Sequence, residues 1–203
     1  MRARRRNNTP ASIAETSSHH FSPSRLHFAA AILTDQTRGN TRQHFNNMNN
    51  YKGIIDQINA GIREFNEHLS ASQAIPMLGM VTDKSFMNIG ETPWEKQFWP
   101  NKDARGVYFL FGYKENAPSI PALYIGKASL GNIGERLYSH LNPSRNEPHY
   151  RLNDASGAAC IIDFVTSIDL STRHNSSLAV ALEEFLIKHM RNICHLINSI
   201  GTK

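Results

Sequence analysis

Cysteine is scarce in this chain: Cys160 and Cys194 are the only two in 203 residues. Both lie in apolar stretches without CxxC spacing, which excludes a disulfide scaffold and a zinc module. No apolar run approaches the roughly 20 residues that a membrane-spanning helix needs. Nothing near the N-terminus reads as a secretory signal peptide. The expectation is a soluble, reduced, intracellular protein, cytoplasmic and without a membrane partner. A chain of this length buries one good core and at most a small satellite.

Acidic residues are scarce in the first 47 positions, where seven arginines face only Glu15 and Asp35. The whole formal charge of +5 therefore belongs to this segment, and the remaining residues balance. A basic composition is thus no argument for nucleic-acid binding by the rest of the chain, where a phosphate-binding surface must be a local patch. Residues 1–47 are rich in Arg, Ser, Thr, Asn and His without periodicity and read as a disordered extension. Four readings stand: a solvated tail, translated sequence upstream of a true start at Met48, an organelle-targeting segment, or a DNA-binding arm. The lack of a clear amphipathic helix favours the first two.

Apolar residues then appear at helical spacing. Ile54, Ile55, Ile58, Ile62, Phe65 and Leu69 recur in steps of three and four, so residues 50–70 are predicted to form an amphipathic helix covering one face of a sheet, or alternatively binding a partner. Residues 71–104 are loop-like, with Pro76, Gly79, Gly90, Pro93 and Pro100, and Trp94, Phe98 and Trp99 are expected to pack this loop onto the domain. The expected organisation is an extension (1–47), a helix and loop packing on the core (48–104), and a domain carrying the chemistry (105–203).

That last domain reads as strand (106–113), strand (122–127), helix (132–141), strand (158–168) and helix (177–191). Asn132 with Glu135 three residues on is a capping-box signal for the first of these helices. The predicted fold is α/β of the α+β kind: a small three-stranded, mainly antiparallel sheet flanked by helices, with an extra N-terminal helix.

Period-two alternation puts Val107, Phe109 and Phe111 on one face of the first strand and Tyr108 on the other, where position alone favours a core tyrosine. In the second strand Tyr124 lies opposite Leu123 and Ile125, and Gly126 permits a close backbone approach. On the next helix Ile133, Leu137 and Leu141 form the core stripe, and Arg136 and His140, four apart, stack on its rim. A guanidinium there suits a phosphate, or snorkels to water. On the last helix Glu184 and Lys188 are an exposed pair, whereas Glu183 sits near Ile187 and Met190, away from the polar cluster. A carboxylate among apolar residues needs a cation or hydrogen-bond donors, or reaches water at the helix border.

Gly106-Val107-Tyr108 and Tyr124-Ile125-Gly126-Lys127, followed in order by Arg136, His140 and Glu183, resemble the paired signature and active-site order of the GIY-YIG nucleases. The resemblance covers roughly residues 100–201. It implies a DNA endonuclease that hydrolyses a phosphodiester in one in-line step with Mg²⁺ or Mn²⁺. Tyr108 and Tyr124 would line the cleft, with Tyr108, assisted by Lys127, as general base. Arg136 would contact the scissile phosphate, His140 would orient phosphate or assist proton transfer, and Glu183 would be the metal-binding carboxylate.

Two features depart from the family pattern. The fifteen residues between Tyr108 and Tyr124, with Pro118 and Pro121, are more than usual and suggest an extended hairpin loop. The family asparagine after the glutamate helix corresponds to Asn198, with Asn192 competing. Tyr124-Ile125-Gly126-Lys127-Ala128 with Arg and His four apart is most similar to type II restriction endonuclease members, which would act as homodimers if they cut both strands. A structure-selective DNA-repair nuclease and a non-catalytic DNA-binding module on the same fold are the alternatives.

Overall fold

Strand β2 (Gly106–Lys114) is apolar on both faces, which suits only a strand covered on both sides, and seven of its nine residues are buried. The structure, a computed structural model, describes residues 51–80, 85–90, 97–98, 101–141, 150–171 and 177–198. The expectations for residues 1–47, Trp94 and Trp99 fall outside these residues.

β2 runs antiparallel to β3 (Ala117–Ala128) on one side and to β5 (Ala159–Asp169) on the other. These are the three strands read from the sequence. The sheet is nevertheless larger than expected, with six strands among the described residues. β1 (Met87–Asn88) and β4 (Tyr150–Asn153) pair antiparallel along the outer edge of β5, and β6 (His195–Leu196) pairs parallel with Ala122 and Leu123 of β3. Segments of two to four residues carry too little alternation to be read as strands. They form because the edges of the three long strands present unpaired N–H and C=O groups.

The β2–β3 connection also differs from expectation. The additional residues between Tyr108 and Tyr124 lengthen the strands, and a two-residue turn, Glu115-Asn116, joins them. A register shift after Tyr113 absorbs Pro118, while Pro121 stands opposite Tyr113, and both prolines lie in the part of β3 before β6 begins to pair.

Helices α1 (residues 51–66) and α3 (Ser177–Met190) cover one face of the sheet, burying Ile55, Ile58, Ile62, Leu182 and Leu186 against Val107, Phe109, Phe111 and Ile125. The alternation therefore assigned the faces of β2 and β3 correctly. At the start of α1 the Tyr51 hydroxyl donates to Asp163 Oδ2 (2.9 Å), where a bulge in β5 opposite Phe111 and Gly112 adds one residue. Helix α1 stops short of the predicted residue 70. The Asn66 amide instead grips the N–H and C=O of Ile75, as Asn59 grips those of Leu78, and this docks residues 74–80 along the helix. Phe98 does not pack as expected and is 84% exposed.

Helix α2 (Ile133–Leu141) covers the other face, with Ile133, Leu137 and Leu141 buried against Leu110, Val165 and Ala128. Asn132 caps it: its Oδ1 accepts from the Glu135 N–H at 2.8 Å. Among the described residues no helix is long and apolar enough to cross a membrane.

Candidate active site

Tyr108 and Gly126 are direct partners across the β2–β3 ladder. A methyl group added at Gly126 would clash with the hydroxyl end of the Tyr108 phenol. The missing side chain lets that ring cross over β3. Gly106 is required by a similar crowding, against the carbonyl of Ile168.

Tyr124, two residues before Gly126, points to the same face. Its ring lies 6.1 Å from that of Tyr108, at 28° to it, and 4.9 Å from the His140 ring. The Tyr124 hydroxyl shares a hydrogen bond with His140 Nε2 at 3.3 Å, and the Tyr108 phenol stacks beside Tyr124. Strands β2 and β3 and helix α2 thus bring three side chains into one hydroxyl–hydroxyl–imidazole cluster.

Burial holds the Tyr108 phenol well above its ordinary pKa, reinforced by Tyr124 and the Glu183 charge and opposed by the Arg136 guanidinium. Tyr124 is raised for the same leading reason. Burial, and then Arg136, lower His140 below the ordinary imidazole value. At neutral pH the cluster therefore holds two phenols and a neutral imidazole, with Arg136 as its nearby cation. Arg136 itself is exposed on the rim of α2, and among the described residues its guanidinium has no hydrogen bond or ion pair.

Lys127 and Glu183 belong to the opposite face of the sheet. Lys127 follows Leu123 and Ile125 at two-residue steps and so shares their face, and Glu183 projects from α3. The two side chains form a direct ion pair, with Glu183 only 13% exposed and Lys127 34%. The cation that the apolar surroundings of Glu183 demand is thus an ammonium of the chain itself. The Glu183 charge still acts on Tyr108 and Tyr124, β3 being the last long strand on this side. Past Ile125 its outer edge has no strand partner among the described residues. Glu184, by contrast, is exposed.

Asn198 is also at this edge, in a role that spacing does not reveal. Its Oδ1 accepts from the Ile125 N–H (2.8 Å) and its Nδ2 donates to the Ile125 C=O (2.6 Å). With the Ile197 N–H bonded to the Leu123 carbonyl at 2.8 Å, this side chain adds one more rung to the β6–β3 ladder. Both polar ends of its amide are engaged, so Asn198 positions β3 between Tyr124 and Gly126. Asn192 is exposed and has no such link.

The fold therefore draws Tyr108, Tyr124, Arg136, His140, Lys127, Glu183 and Asn198 from four elements and the segment after β6. Among the described residues, no three His, Cys, Asp or Glu side chains gather as a metal site. A second polar cluster went unread in the sequence. Asp154 Oδ1 accepts from Ser156 N, Ser156 Oγ and Ala158 N, and its Oδ2 lies 3.0 Å from His195 Nε2, out of line for a hydrogen bond. These bonds hold Asp154 down at about 2. An Asp followed by Ser and Gly is the available signal, and it marks a turn. No family model, no curated protein and no solved structure matches the chain.

Proposed function

We propose that the chain is a divalent-metal-dependent endonuclease of the GIY-YIG kind, hydrolysing DNA phosphodiester bonds, with type II restriction enzymes as the nearest resemblance. The supporting observation is that residues far apart in sequence are gathered around β3: Tyr108, Tyr124 and His140 as one ring cluster, with Arg136 and the Lys127-paired Glu183 both within electrostatic reach of the two tyrosines.

Arg136 is exposed and uncommitted among the described residues, so its planar fork is free to donate two hydrogen bonds to phosphate oxygens. It stabilises the charge that builds up as the attacking water bonds to phosphorus and the sugar oxygen departs. Tyr108 takes the proton of that water only as phenolate, which burial opposes and Arg136 favours. His140, neutral and linked to the Tyr124 hydroxyl, is the neighbouring base that can hold a proton. Asn198 keeps β3 in register beneath them.

Glu183 is the carboxylate that would hold Mg²⁺ or Mn²⁺. One carboxylate fits such an ion, which usually completes its shell with waters and substrate phosphate oxygens. When bound, the ion supplies charge stabilisation for the departing oxygen.

The Lys127–Glu183 pair favours a second reading, a DNA-binding module without catalysis, because the one carboxylate of the site already has its cation. Supercoiled plasmid incubated with the protein, with and without Mg²⁺, separates the two. Metal-dependent nicking or linearisation is the expected result. Retarded but intact plasmid at every metal concentration would favour the binding module.

A further inference from the structure

We propose that Lys127 gates the Glu183 carboxylate, so that divalent metal and DNA bind cooperatively rather than independently. This rests on the nuclease reading and concerns how its site is loaded.

The Glu183 carboxylate is largely buried and in direct contact with the Lys127 ammonium, and among the described residues no cluster of further acidic groups offers a metal another foothold. A cation arriving without DNA must displace an ammonium from its one ion-pair partner among the described residues. Mg²⁺ and Mn²⁺ would then gain one carboxylate, while Lys127 would lose its counter-charge in a partly desolvated place.

DNA changes both sides of this exchange. A backbone phosphate at the edge of β3, where the charges of Arg136 and Glu183 both reach the two tyrosines, offers Lys127 a new anion, and the one-third exposure of its flexible side chain permits it to move there. The same phosphate supplies oxygen ligands that complete the shell of an ion on Glu183. Each ligand then favours the other, and by linkage the enhancement is reciprocal. In the absence of DNA, Lys127 and Glu183 neutralise each other and the site stays unloaded.

The test is Mn²⁺ binding to the full chain, followed by the electron paramagnetic resonance signal of free Mn²⁺, with and without a short duplex whose integrity is checked by gel. Wild-type protein should bind Mn²⁺ about 5- to 150-fold more tightly with duplex present, the usual range for coupled sites. Lys127→Met and Lys127→Gln should bind Mn²⁺ without DNA at least tenfold more tightly than wild type, and should gain little from the duplex. Glu183→Gln should remove the binding in every background, and thermal melts of all variants establish that they are folded.

If both Lys127 variants bind Mn²⁺ no better than wild type in the absence of DNA, or if no arm binds it, the gate is wrong. Metal-dependent plasmid cleavage by the wild type would then leave the nuclease reading standing. If the Lys127 variants gain affinity as expected but plasmid stays intact at every metal concentration, the gate holds and the nuclease reading fails.

Discussion

The phenol ring of Tyr108 occupies the space where Gly126, its partner across β2 and β3, would carry a side chain. Position 126 therefore accepts no Cβ without displacing Tyr108 from Tyr124 and His140. Gly126→Ala should lower stability by about 1–3 kcal/mol, as overpacking does, with urea denaturation as the measure. It should also abolish plasmid cleavage. Full activity in this variant would show that the Tyr108 position is irrelevant to the chemistry.

Glu183 and Glu184 are neighbours in sequence with different surroundings: one is paired with Lys127 and nearly buried, the other exposed. Glu183→Ala should eliminate metal-dependent cleavage, whereas Glu184→Ala should match wild type in the same plasmid assay. Equal losses would remove Glu183 from its assigned role.

Arg136→Lys retains the charge but loses the planar fork. DNA binding without metal, read by fluorescence anisotropy, should stay within a few fold of wild type. Cleavage should fall by about 10²- to 10³-fold, because the lost donors act chiefly in the transition state. Cleavage at close to the wild-type rate would reduce Arg136 to a general electrostatic contact.

Asn198 donates to and accepts from the same residue, Ile125. Asn198→Ala should cost about 1–3 kcal/mol by leaving that backbone pair unsatisfied. Asn198→Asp should be no better, since a carboxylate can accept from the Ile125 N–H but repels its carbonyl. Urea midpoints of the two variants test this, and a stable Asn198→Asp protein would contradict the proposed clip.

Because burial and Arg136 lower His140, the folded protein binds its proton less readily than the unfolded chain. Its contribution to stability is therefore complete above the ordinary imidazole value of about 6.5 and declines as pH falls below that. NMR titration should place the His140 midpoint below that of a free imidazole. On the nuclease reading, the acid limb of cleavage should follow the same midpoint. A His140 midpoint above the ordinary value would overturn this electrostatic picture.

Much of the fold was legible because local chemistry and tertiary environment agree. The alternation in β2, the apolar stripe of α2 and the cap at Asn132 each demand one arrangement, and β2 and α2 adopt it. The off-pattern position of Glu183 was likewise visible, since helix geometry alone separates it from Glu184. What the sequence could not supply was the identity of its cation: Lys127 lies on another element, and only the stacking of α3 on β3 brings the two together. Strands β1, β4 and β6 were too short to carry a period, and they exist because longer strands offered them an edge. Asn59, Asn66 and Asn198 look alike in sequence to any surface asparagine. Tertiary contact makes each a clip on a distant backbone unit, because a side-chain amide carries the same donor and acceptor as a peptide group and can replace one wherever the chain brings it within reach.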